Sequence, residues 1–316
     1  MSRFADLTAA AADRAATLGG MLEALYLSRF EIPPIDAADA ARGVQRIELE
    51  HATVRLRIAG DGAHPIVIVP DPPNTLEHYD ELIDLLLARG GVRVICFEVP
   101  GFGLSFPRSL TFSFSAAEYT DVIVELIDRL ALRDVTLVIS CIGGYVGLMA
   151  ARLRPDLIGR LVLCQTPAVH HMIAWARRFD KLGLLGLPLV GQAIMWLLKD
   201  PATRFWYSAA LPIGADVARY QAPALAAQRI GGPYALASGI QAMRRLDVRE
   251  LAGVTQPVTL AWGHGDRTHA RTDPRSLLAV VPHARFVSFE RCGHFPDLED
   301  PQRFTELVFD SLEAGG

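Results

Sequence analysis

Cysteine is scarce in this chain: four residues in 316, too few and too scattered for a disulfide framework. Three of them, Cys96, Cys141 and Cys164, lie in or beside apolar stretches, so a reducing compartment is the simpler expectation. An excess of one charge is also missing. Lys and Arg total 31 against 35 Asp and Glu, a net charge of −4 with no basic stripe, which argues against a nucleic-acid partner. Long apolar runs are absent too. The best membrane candidate, Leu182 to Leu198, is uncharged but is broken by Gly183, Gly186, Pro188 and Gly191, and it is shorter than the roughly 20 residues a span needs. Near the start, Arg3, Asp6, Asp13 and Arg14 interrupt any run that could serve as a secretory signal, and a cytoplasmic location is expected. His170, His171, His264 and His269 lack regular ligand spacing, so they are assigned to the surface or to a helical insertion. Neither a metal nor a cofactor is expected.

What the chain has in quantity is apolar sequence: 51% hydrophobic residues, enough for one large domain with an insertion or two small ones. Phe4, Leu7, Ala11, Ala15, Leu18, Leu22 and Leu25 recur at steps of three and four and predict an opening amphipathic helix within an extension over 1–43. Gly19-Gly20 is a possible break, and the helix would dock on the domain or on a second copy in a homodimer. Val44 to Leu49 and Thr53 to Ile58 alternate as half-buried antiparallel strands. Five short apolar runs follow, at 65–69, 92–97, 135–139, 161–164 and 258–262, alternating with helical patterns such as 76–89 and 116–130. That order predicts a mostly parallel sheet covered by helices on both faces, with a last strand at 285–289 and a closing helix over 301–312. No repeat or low-complexity tract interrupts it.

From about Thr166 to Val254 the alternation stops, and aromatic residues, Met and Leu accumulate, among them Trp175, Trp196 and Trp206. A helical insertion there would sit over the carboxyl ends of the strands, where open α/β sheets place their ligands. The expected division is a core of 44–165 and 255–316 with a helical cap of 166–254 inserted after the sixth strand. The three tryptophans are expected to shape an apolar substrate pocket.

The most informative segment is Val138-Ile139-Ser140-Cys141-Ile142-Gly143-Gly144, a strand running into a sharp turn and a helix with a thiol at the apex. Ser140 is a rival for the apex, but it would place β-branched Ile142 where Cys141 places Gly143. Glu98-Val99-Pro100-Gly101-Phe102-Gly103-Leu104-Ser105, Trp262-Gly263-His264-Gly265-Asp266 and Cys292-Gly293-His294-Phe295-Pro296 complete the set. Together these motifs resemble the capped group of the α/β-hydrolase superfamily over roughly residues 44–312, with cysteine for the usual serine and Glu98 for an aspartate.

The resemblance implies that Cys141 is the nucleophile, His294 the general base and then acid, and Asp266 the carboxylate that orients the imidazole. It implies an oxyanion donor in the N–H of Ile142, the residue after the nucleophile. Two departures stand out. Ile139 occupies a position where the family has a small residue. Pro70-Asp71-Pro72-Pro73 replaces His-Gly-x-Pro, so that Pro72 has no N–H to offer as the second donor; Asn74, a shifted loop, or a reaction that needs no full hole are the alternatives. A cysteine nucleophile implies acyl transfer through a thioester. The expected function is a cysteine-dependent acyl hydrolase or thioesterase for an apolar ester, thioester or lactone, free or carrier-bound. An acyltransferase or cyclase using the same triad is the alternative, and a non-hydrolytic ligand-binding or lyase-like relative the alternative of another class.

Overall fold

The computed structural model describes residues 18–313. Eight strands are numbered here in chain order: β1 Val44–Glu48, β2 Ala52–Ala59, β3 His64–Val69, β4 Val92–Phe97, β5 Val135–Ser140, β6 Ile158–Cys164, β7 Val258–Gly263 and β8 Arg285–Phe289. They form one sheet in the order β1-β2-β4-β3-β5-β6-β7-β8. Strand β2 is antiparallel to β1 and β4, and all pairings from β4 through β8 are parallel. The turn after β4 adds a two-residue piece, Phe106–Pro107, against β2 that the sequence pattern did not predict.

Burial on both faces explains why the central strands read as continuous apolar runs. Ile66, Ile68, Val94, Cys96, Val138 and Val162 pack under α1 (Asp80–Arg89) and the closing helix α8 (Pro301–Glu313). Their alternates Val67, Val69, Ile95, Phe97, Leu137 and Leu161 pack under α2 (Ala116–Arg129) and α3 (Gly143–Leu153). The start of α2 is set by a reciprocal cap, in which the Glu118 N–H donates to Ser115 Oγ and Glu118 accepts from the Ser115 N–H.

Between β6 and β7 the chain leaves the sheet for α4 (Val169–Phe179), α5 (Val190–Ala210), α6 (Val217–Arg229) and α7 (Leu236–Met243). These four helices lie over the strand ends. Helix α5 kinks at Leu198, where φ is −117°, because Pro201 cannot donate to the preceding turn. Among the described residues no helix is long and apolar enough to cross a membrane.

The opening helix departs from its expected orientation. Its positions up to 17 lie outside the described residues; residues 18–27 are helical straight through Gly19-Gly20. The face that packs inward carries Gly19, Gly20, Glu23, Ala24 and Leu27, while Leu18, Leu22 and Leu25 face solvent. The two glycines are inside because the helix rides close to its neighbours. A Cβ on Gly20 would stand 2.5 Å from the Ser113 carbonyl oxygen, and one on Gly19 2.9 Å from the Gln192 side chain of the cap.

Candidate active site

Cys141 directly follows β5 with φ +55°, a left-handed conformation that a non-glycine residue holds only when its surroundings enforce it. The enforcement is visible. The Cys141 N–H donates to the Cys164 carbonyl at 2.8 Å, and Thr166 Oγ1 donates to the Cys141 and Cys164 carbonyls at 3.1 and 3.0 Å. Ile139 fits two residues before the apex because α3 is emptied for it. A Cβ on Gly143 would lie 2.9 Å from Ile139 Cγ1, and one on Gly147 2.7 Å from Cγ2, so the bulk has moved from one side of the contact to the other. Ser140 borders the cavity too, but its hydroxyl is engaged with the buried Cys164 thiol.

His294 follows β8 on a loop fixed by its backbone. Its N–H donates to Ala210 at the end of α5, and the Gly265 N–H donates to the Cys292 carbonyl at 2.7 Å. The loops after β7 and β8 touch so closely that a side chain at Gly263 would collide with the Gly293 carbonyl. His294 Nδ1 donates to Asp266 Oδ2 at 2.6 Å. Asp266 accepts further bonds from Gln165 Nε2 at 2.9 Å and from the Thr268 N–H and hydroxyl at 2.8 and 2.7 Å. Burial pushes its pKa up, but the His294 charge and these donors outweigh it and hold the carboxyl at about 2. Gln165, which no motif pointed to, also accepts from the Gly263 N–H at 2.8 Å and so ties Asp266 to the end of β7.

The other ring nitrogen meets a residue that the sequence reading named only as part of a turn. His294 Nε2 donates to Asp71 Oδ2 at 3.1 Å. The Cys141 sulfur, a His294 ring nitrogen and an Asp71 carboxylate oxygen lie within 4.8 Å of one another. Burial opposes the imidazolium, yet the Asp266 charge and the bonds to Asp266, Asp71 and Cys141 prevail and push His294 well above its ordinary value. The Cys141 thiol is pushed up by burial and by the Asp71 charge, against hydrogen bonds from His294 and from the Ile142 N–H. Asp71, Cys141 and His294, like Asp266, His269 and His294, are donor types that bind metals.

The Asp71 turn is held from behind. Its carbonyl accepts from the Asn74 N–H at 2.9 Å, and Glu98 accepts from the Leu76 N–H at 3.1 Å and the Leu104 N–H at 2.7 Å. Asn74 itself is turned away from the cavity. Its Oδ1 accepts from Tyr207 at 2.7 Å, and its buried amide nitrogen has no partner among the described residues.

Cys141 and Asp71 form part of the floor of a cavity of about 270 Å³ between the sheet and the cap. Trp175 and Trp206 line it, with Ile142, Phe102 and Tyr234. Trp206 meets His294 edge-on, ring centroids 4.9 Å apart. Trp196 does not line the cavity and instead stacks on Tyr26 of the opening helix at 4.3 Å, so the pocket role expected of it is corrected. His269 is corrected as well. It is buried, stacks on Trp175 at 5.2 Å and on His294 at 5.5 Å, and burial drives it down to about 3, so it is a neutral wall of the site. His264 and His170 are exposed as expected. Cys292 is a free thiol outside the cavity lining, pushed up to about 12 by burial and then by Glu299.

The alpha/beta hydrolase family model matches residues 66–307. A 2-hydroxymuconate semialdehyde hydrolase of Pseudomonas putida is 26% identical over 225 residues, which cover 68% of this chain and 75% of that protein. A pimeloyl-[acyl-carrier protein] methyl ester esterase of Aromatoleum aromaticum is 31% identical over 180 residues, 55% of this chain and 72% of its own. Among solved structures, an epoxide hydrolase from Vigna radiata superposes with a TM-score of 0.66 at 19% identity, covering 86% of this chain and 98% of that one.

Proposed function

The chain belongs to the alpha/beta hydrolase family, a family of enzymes, and we propose that this member is a cysteine-dependent acyl hydrolase that forms a thioester on Cys141. The observation that carries the reading is a thiol at a strained elbow, beside an imidazolium that is anchored by Asp266, on the floor of an apolar cavity. Attack of the sulfur on a carbonyl carbon builds negative charge on the oxygen, and the Ile142 N–H already lies against the Cys141 sulfur, near where that oxygen must sit. The apolar walls favour an apolar acyl group on an ester, thioester or lactone. One relative, the esterase, acts on an acyl ester borne by a carrier protein.

A second reading is supported by Pro72. With no N–H from that turn, stabilisation of the oxyanion rests more heavily on Ile142, a handicap felt most in attack by water. Transfer of the acyl group to a better nucleophile, such as an amine, tolerates it more easily. The test is intact-protein mass after exposure to an acyl thioester such as octanoyl-N-acetylcysteamine, followed by product analysis. Expected are an acyl adduct that survives Ser140→Ala and disappears in Cys141→Ala, and free octanoate as product. An acyl product formed only with an added amine or alcohol selects transfer. No adduct and no product from the wild type would overturn both readings and leave the ligand-binding or lyase-like class.

A further inference from the structure

We infer that Asp71 is a catalytic residue of this site, the proton acceptor for the Cys141 thiol, and that His294 acts first as the acid. The inference rests on the acyl-enzyme reading above and divides the labour within it differently. Its basis is the pairing of the imidazole. Both ring nitrogens face carboxylates, Nδ1 at 2.6 Å from Asp266 and Nε2 at 3.1 Å from Asp71, so both carry hydrogen. A histidine in that state has no free lone pair with which to take the thiol proton. The nearest group that has one is the carboxylate lying within 4.8 Å of the sulfur.

The two carboxylates are not equivalent. Asp266 accepts from five donors, three on Oδ1 and two on Oδ2, and is saturated. Asp71 accepts a single side-chain bond, from His294, and borders the cavity beside the thiol. It stands in the turn where Pro72 removes the backbone donor, so that turn offers the reacting centre a base and no N–H.

The proton inventory closes. In acylation the Cys141 S–H proton passes to an Asp71 oxygen while the sulfur bonds the carbonyl carbon. The bond from that carbon to the leaving oxygen or sulfur then breaks, and the leaving atom takes the Nε2 proton of His294. The site is left with a neutral imidazole, still donating from Nδ1 to Asp266, and a protonated Asp71. In deacylation the attacking water or other acceptor gives its proton to Nε2 as it bonds the carbonyl carbon. The carbon–sulfur bond breaks, and Asp71 returns its proton to the sulfur. A base and an acid are thus both present before the substrate arrives.

Other ionisable groups do not offer a substitute. His269 is held neutral, Tyr79, Tyr207 and Tyr234 are held protonated by burial, Asp297 accepts from Tyr79, and Glu299 accepts the Gly293 and Phe295 N–H groups.

Asp71→Asn separates this role from a structural one because it should move two readouts in opposite directions. Turnover of the acyl thioester should fall by roughly 10²–10⁴, the range of general-base catalysis. Alkylation of Cys141 by iodoacetamide at neutral pH should rise about tenfold, since a negative charge against the thiolate is removed and Nε2 becomes free to pair with it. Asp71→Glu, which keeps the carboxylate, should recover part of the turnover and reverse the alkylation gain. If turnover and alkylation fall together, or if neither changes, Asp71 is a positioning residue or a spectator and the inference is overturned. Stoichiometric zinc in the isolated protein would also overturn it, by assigning the same atoms to coordination. Failure of the acyl-enzyme reading shows separately, as the absence of an acyl adduct on the wild type.

Discussion

The loops at the strand ends and the cap above them hold their side chains by different means. In the loops, the candidate catalytic groups are pinned through the backbone: Cys141 through Cys164, His294 through Ala210, Asp266 through Thr268 and, by way of Gln165, through Gly263. In the cap, the polar fixed points run through long side chains that reach one another or a helix-end carbonyl. Gln192 Nε2 donates to Ser238 and to Gln241 at 3.0 and 2.9 Å, Gln228 donates to Thr203 at 2.7 Å, Gln241 Nε2 donates to the Leu185 and Leu187 carbonyls at 3.0 and 3.2 Å, and Lys199 donates to the Gln228 and Gly232 carbonyls at 3.2 and 3.1 Å, amid aromatic and aliphatic packing. Backbone anchors give a placement that survives exchange of neighbouring side chains. Side-chain anchors make a wall whose shape changes with each residue in it. Chemistry belongs on the first and selectivity on the second.

The largest break in this contrast is expected at Asp266→Asn. The amide keeps the volume, but its NH2 must face either the Thr268 donors or His294 Nδ1–H, so the imidazole loses its orientation. Turnover should fall by about 10⁴-fold, the cost of the wrong tautomer in a comparable triad, with the thermal midpoint nearly unchanged. A loss below tenfold would mean that the orientation comes from the loop backbone and not from the carboxylate.

A smaller effect, on the other side of the contrast, is expected in the cap. Trp206→Ala and Trp175→Ala remove cavity wall and should raise KM for a long acyl chain by about tenfold, roughly 1.4 kcal/mol of lost apolar contact, while a small activated ester reacts at near the original kcat. Trp196→Ala, which removes the stack on Tyr26 and a contact with the Glu23 carboxyl, should leave chain preference alone and lower stability instead. Equal effects from all three would erase the distinction between the pocket wall and the packing of the opening helix.

How much of this could be read in advance follows the same division. The strand order, the elbow and the Asp266 and His294 loops were legible because their constraints are local: apolar period, turn chemistry and glycines at fixed offsets. Tertiary contacts carried what was missed. Pro-Asp-Pro-Pro reads as a turn, and nothing in it says that the carboxylate points back at an imidazole 223 positions along the chain. Ile139 looked misfitted because its compensation includes Gly147, eight residues later and one helical turn past the motif. The opening helix carried an apolar stripe on one face and small residues on another; close approach chose the small face, and a hydrophobic pattern could not have announced it.

That small face also supplies the least effect expected and the point where the contrast is most open to test. Glu23 is buried against the cap, with Ser238 Oγ donating to it, and burial raises its carboxyl to about 7 while that bond pulls the other way. A carboxyl raised above its unfolded value favours the folded state most below pH 4.5, where it is protonated in both states, and that advantage is lost as pH climbs through about 7. Above neutrality a buried charge sits in a contact that Gln could make without one. Glu23→Gln should therefore be more stable than the wild type at pH 8 by on the order of 1–3 kcal/mol, or a few degrees in Tm, and should lose that lead by pH 5. Hydrogen exchange should locate the difference in residues 18–27 and in α7. Parallel pH profiles for the two proteins would mean that the helix is held by the close approach of Gly19 and Gly20 alone, a backbone anchor after all, and the line drawn between loops and cap would have to move.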